Sequence, residues 1–160
     1  MPYLLRKIRK ARWNPGLRQE FGPFEEQDCP ADCVADLGTS NCRLSLWEID
    51  DARSNLGDVI VALATNADHL SNLDYALIPR DKLEEIARLE ATEGQTAHIQ
   101  ANQKWHRDLI DLSGRRLIDI AALIFSVAER RRVPEKEVTQ MVRQALEKKA
   151  LDPARVRVAI

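Results

Sequence analysis

Residues 43–79 constrain the fold more than any other stretch of the chain. Leu44, Leu46 and Glu48 alternate with Ser45, Trp47 and Ile49, the period-two pattern of a strand. Asp50 and Asp51 follow, suited to a helix start and its dipole. Leu56, Val59, Ile60, Leu63 and Ala64 then recur at helical spacing. Leu73 to Ile78 reads as a second strand, stopped by Pro79. Strand, helix and strand in about 36 residues have the span of a βαβ unit, which predicts two parallel strands joined by a right-handed crossover.

The rest of the chain is read around that unit. Residues 3–9 and 155–160 are expected as edge strands. In the first, Leu4, Ile8 and Ala11 also have the spacing of a short helix, and its Lys and Arg residues suit an exposed edge. Helices are expected near 53–67, 80–91, 99–131 and 134–149. Asp81 and Glu84 form a capping box for the second, and Trp105, Leu109, Leu112, Leu117, Ile120, Ile124 and Val127 a stripe along the third. The expected fold is α+β: a small mixed sheet containing one βαβ unit, covered by about four helices, in a single domain spanning residues 1–160. Residues 14–42 contain Pro15, Gly16, Gly22, Pro23, Pro30 and Gly38 and little periodicity, so they are expected to form a long loop, acidic and cysteine-containing, with one helical turn near Ala31 to Leu37.

Composition narrows the class. With 44% hydrophobic and 31% charged residues the chain has the make-up of a globular protein. Its longest apolar runs, Val59 to Ala64 and Ile120 to Phe125, are far shorter than the roughly 20 residues of a membrane-spanning helix. Charges come too early for a secretory leader, so a reducing, cytoplasmic compartment is expected. The net charge of −1 hides an uneven layout. Residues 1–18 carry six bases and no acid, residues 19–93 carry 17 acids against five bases, and residues 94–160 carry 13 bases against eight acids. Such asymmetry suits recognition surfaces, or docking of the basic segment on the acidic middle of the same chain.

Motifs that carry chemistry are sparse. There is no phosphate-binding glycine loop, no G-x-S-x-G elbow and no H-E-x-x-H. Cys29, Cys33 and Cys42 are three thiols without a second ligand pair, where a structural zinc needs four ligands. The neighbouring Asp28, Asp32 and Asp36 disfavour thiolates. No bound metal or cofactor is therefore expected. Asp50 and Asp51, at a strand end, are placed either to cap the next helix or to hold a hard cation such as magnesium. His106 is read on a helix, sharing a face with Leu109, Ile110, Ser113 and Leu117, with no carboxylate one turn away to orient it as a base. His69 and His98 stand alone.

The favoured expectation is a non-enzymatic protein-interaction module, an adaptor or accessory subunit, meeting a partner protein through Arg9, Trp13, Phe21 and Phe24. A nucleic-acid-binding accessory protein using Arg6, Lys7, Arg9, Lys10 and Arg12 is the first alternative, set against an overall pI near 6.3. A cation-dependent enzyme at Asp50 and Asp51 is the second.

Overall fold

The computed structural model describes residues 1–14 and 28–159. Six strands form one sheet: β1 (Tyr3–Ile8), β2 (Leu44–Ile49), β3 (Leu73–Pro79), β4 (Arg88–Ala91), β5 (His106–Ile110) and β6 (Glu129–Val133). Their order is β4-β5-β2-β1-β3-β6, and every pairing is antiparallel. Among the described residues, six α-helices flank the sheet: α1 (Ala31–Asp36), α2 (Leu56–Thr65), α3 (Arg80–Glu84), α4 (Ile99–Lys104), α5 (Gly114–Val127) and α6 (Glu135–Glu147). The α+β class stands.

The strand–helix–strand unit is present as β2, α2 and β3, but its two strands are not neighbours. β1 lies between them, antiparallel to both. The N-terminal segment is thus a central strand rather than an edge. Leu4 and Leu5, adjacent in sequence and fully buried, belong to the cores on opposite faces. A strand covered on both sides does not alternate apolar with polar, which is why its periodicity was ambiguous.

Helices cover both faces. α1, α3 and α5 pack over Leu4, Leu44, Leu46 and Leu109, with Trp13 in the same core. α2, α4 and α6 pack over Leu5, Trp47, Ile49, Tyr75 and Leu77. Each sheet face buries side chains from several strands, so the molecule has two cores separated by one sheet.

The segment expected as a helix over 99–131 is two helices and two strands. Asp111, at φ 56°, turns the chain after β5, and the Ser113 side chain accepts the Arg116 backbone N–H at 3.2 Å to cap α5. Gly114 therefore opens a helix instead of bending one. Arg130, Arg131 and Arg132 lie in edge strand β6, where Arg132 meets its cross-strand partner Asp74 at 2.7 Å. Likewise the expected helix over 80–91 ends at Glu84, and residues 88–91 form β4. The expected strand at 155–160 is replaced by a 3-10 turn at Pro153–Arg155, followed by residues without strand pairing as far as 159.

Candidate functional site

The site begins with a break in register. β1 pairs with β2 only as far as Leu5 opposite Trp47, whereas β1 and β3 stay paired to Ile8 opposite Asp74. Continued pairing would set Lys7 opposite Ser45. Instead the Arg6 guanidinium enters the gap, and its Nη1 donates to the Ser45 carbonyl at 2.9 Å. Its Nη2 donates to the Gly38 carbonyl at 3.3 Å. Burial pulls the Arg6 pKa down, opposed by the nearby Asp36 carboxylate.

Where the strands part, a cleft of about 310 Å³ opens. Lys7, Ser45, Trp47 and His106 enter it from the sheet, Leu63 and Asn66 from the end of α2, and Glu93 to Thr96 from the loop between β4 and α4. Trp47 and His106 are cross-strand partners. Their rings meet edge to face, with centroids 4.8 Å apart.

Hydrogen bonding fixes His106. Its Nδ1 is 2.7 Å from Thr92 Oγ1, and no hydrogen bond engages Nε2 among the described residues. Burial lowers the His106 pKa, partly opposed by Asp108 and assisted by Arg107. Burial therefore favours the neutral imidazole over the cation. Asp108 is itself held by Ser45, whose hydroxyl donates to it at 3.0 Å.

The loop wall is held by polar bonds that hydropathy does not reveal. Asn102 Oδ1 accepts from Thr96 N at 3.1 Å and from Thr96 Oγ1 at 2.7 Å, while its Nδ2 donates to Thr96 O at 2.8 Å. His98 N donates to Thr96 Oγ1, and His98 Nδ1 accepts the Ala101 N–H to cap α4. His98, Thr96 and Asn102 are all buried. Gly94 lets the loop close over Trp47: an added Cβ would lie 2.7 Å from Asn102 Oδ1 and 2.8 Å from Trp47 Cη2.

Of the residues expected to meet a partner, Arg9 and Trp13 are described, and both bond Asp36. Trp13 is only 1% exposed, its indole N–H donating to Asp36 at 2.8 Å, so it is a core residue rather than a contact surface. Arg9 is exposed, with its backbone N–H on the same Asp36. Phe21 and Phe24 lie outside the described residues. The basic series is likewise divided: Arg6 is tied down, Lys7 faces the other side of the sheet, Arg9 and Lys10 are exposed beyond the strand, and Arg12 is half-buried. Among the described residues no group of three or more His, Cys, Asp and Glu is placed to hold a metal ion. Asp50 accepts Ser54 N at 2.9 Å and also bonds the Ser54 hydroxyl, shaping the turn into α2, and Asp51 meets the Met1 ammonium. Cys29 and Cys33 are buried and Cys42 is exposed.

The sequence reading missed Lys7, Trp47 and the 93–96 loop as a joint site. Trp47 was visible as the one large aromatic of its strand, but its alignment with His106 required knowing that residues 106–110 are a strand. Compared with known proteins, the chain matches no family model, no curated protein and no solved structure. No helix among the described residues is long and apolar enough to cross a membrane.

Proposed function

We propose that the protein is a non-enzymatic interaction module whose recognition site is the β1–β2 cleft, with a small polar molecule as the ligand. The observation that carries this reading is the register break after Leu5, which opens a walled cleft inside an otherwise continuous sheet. Its volume lies at the small end of ligand pockets, which run to about 300–1,000 Å³. The walls are set before any ligand arrives, by the Asn102–Thr96 bonds and the Thr92–His106 contact, and such preorganisation favours binding. Among the described residues the exposed large apolar side chains are Met1, Ile99, Ile118 and Val127, of which only Ile118 and Val127 share an element, α5.

The test is amide chemical-shift mapping against a library of small polar molecules. Binders are expected to shift Lys7, Trp47, Gln95 and His106 together. Shifts confined to the Arg9–Arg12 segment, or catalytic turnover abolished by alanine at Asp50, would replace this reading with one of the alternatives.

A further inference from the structure

We infer that the ligand of the cleft is a small zwitterion with an apolar body, of the free α-amino acid type. This rests on the cleft reading above and adds the chemistry of its occupant. The walls carry opposite charges on different elements. Lys7 comes from the sheet, is exposed, and has no ion pair among the described residues. Arg6 reinforces the positive side from within, its guanidinium fixed on two backbone carbonyls. Glu93 comes from the facing loop, is also exposed, and likewise has no ion pair among the described residues. Trp47 and Leu63 line the same cleft, with Ser45, Asn66, Gln95, Thr96 and His106.

Each class of ligand meets that inventory differently. A simple anion gains from Lys7 but faces the Glu93 carboxylate. A simple amine has the reverse conflict. A molecule with a carboxylate at one end and an ammonium at the other satisfies both walls and lays its apolar part on Trp47 and Leu63. A cleft of about 310 Å³ suits one amino acid better than a nucleotide. His106, whose burial disfavours the cation and whose Nε2 has no hydrogen bond among the described residues, offers a hydrogen bond beside those charges.

The experiment is calorimetric titration of the full chain with leucine, isoleucine, phenylalanine and norleucine. Each is compared with its N-acetyl and carboxamide forms, in wild type and in the Lys7→Ala and Glu93→Gln variants. Both substitutions are at exposed positions, and circular dichroism checks that the fold persists. The expected result is that at least one free amino acid binds, and that each blocked form weakens by about tenfold, the scale of one charge-assisted hydrogen bond. Lys7→Ala should lose little further on carboxamide blocking, and Glu93→Gln little further on acetylation, because each pair removes the same interaction twice. If the acetylated or amidated forms bind as tightly as the free amino acids while still shifting cleft residues, the zwitterion inference fails and the cleft reading stands. If no amino acid binds, and the polar library also leaves the cleft unshifted, both fail.

Discussion

Two residue types give sharp tests because their environments oppose their intrinsic chemistry. Cys33 is fully buried, its thiol donating to the Arg12 carbonyl at 3.2 Å. Its pKa is held above the ordinary value first by a hydrogen bond with Cys29 and then by burial. Cys42 is exposed. Reaction with an aromatic disulfide reagent at neutral pH should therefore modify Cys42 quickly and the other two only as the protein unfolds, and mass spectrometry of the digest reports which sites react. His106 is the second case. Its native pKa lies below the unfolded value of about 6.5 because burial disfavours the cation. As pH falls below that value the unfolded chain takes up a proton that the native state refuses, so stability declines until the native pKa is reached. His106→Gln should flatten that part of the stability–pH curve, and an NMR titration should place the His106 midpoint below 6.5. The residue types were legible in the sequence. Their burial was not, because Cys29 and Cys33 depend on α1 folding against α5, and His106 on a strand that resembled part of a helix.

The same confusion operates at the scale of elements. Residues 99–131 carry apolar side chains at spacings of three to five, which fits one long amphipathic helix. The chain instead divides them among α4, β5, α5 and β6. The local signals for division were Ser113 as an N-cap and the three consecutive arginines, whose strand form is supported across β3 by Asp74. The helices near 56–65 and 135–147 were readable from apolar residues at helical spacing, and the strands near 44–49 and 73–79 from short apolar runs bounded by turn residues. The loop from β4 to α4 has no such pattern, and polar bonds hold it. Replacing Asn102 by alanine removes the acceptor for Thr96 N and Oγ1 and the donor to Thr96 O, all in a buried setting. A cost of about 2–4 kcal/mol is expected from the orphaned groups. Urea unfolding measures it, and ligand affinity should fall in parallel because the Glu93–Thr96 wall loses its support.

At the scale of the whole molecule, the placement of β1 unites fold and site. Inserting the N-terminal strand between β2 and β3 closes the sheet, yet β1 stays paired with only one neighbour along its full length. Arg6 stands at the divergence and replaces the next rung of the β1–β2 ladder by side-chain bonds to Ser45 and Gly38. Neither the insertion nor the divergence follows from local sequence, because the divergence rests on the Arg6–Ser45 contact, 39 residues apart, and the insertion on the still longer-range pairing of Tyr3–Ile8 with Asp74–Pro79. If Arg6 sustains the gap, Arg6→Ala should act locally. It leaves two carbonyls without their donors and should lower stability by about 1–3 kcal/mol. Hydrogen exchange should quicken around residues 38–45 and at the cleft, while β1–β3 amides from Tyr3 to Ile8 keep their protection. Uniform loss of protection across all six strands would mean that Arg6 supports the sheet as a whole, and that the cleft is a by-product of strand length. Selective loss would make the guanidinium the element that holds the two strands apart, joining the stability of the central sheet to the shape of its recognition site.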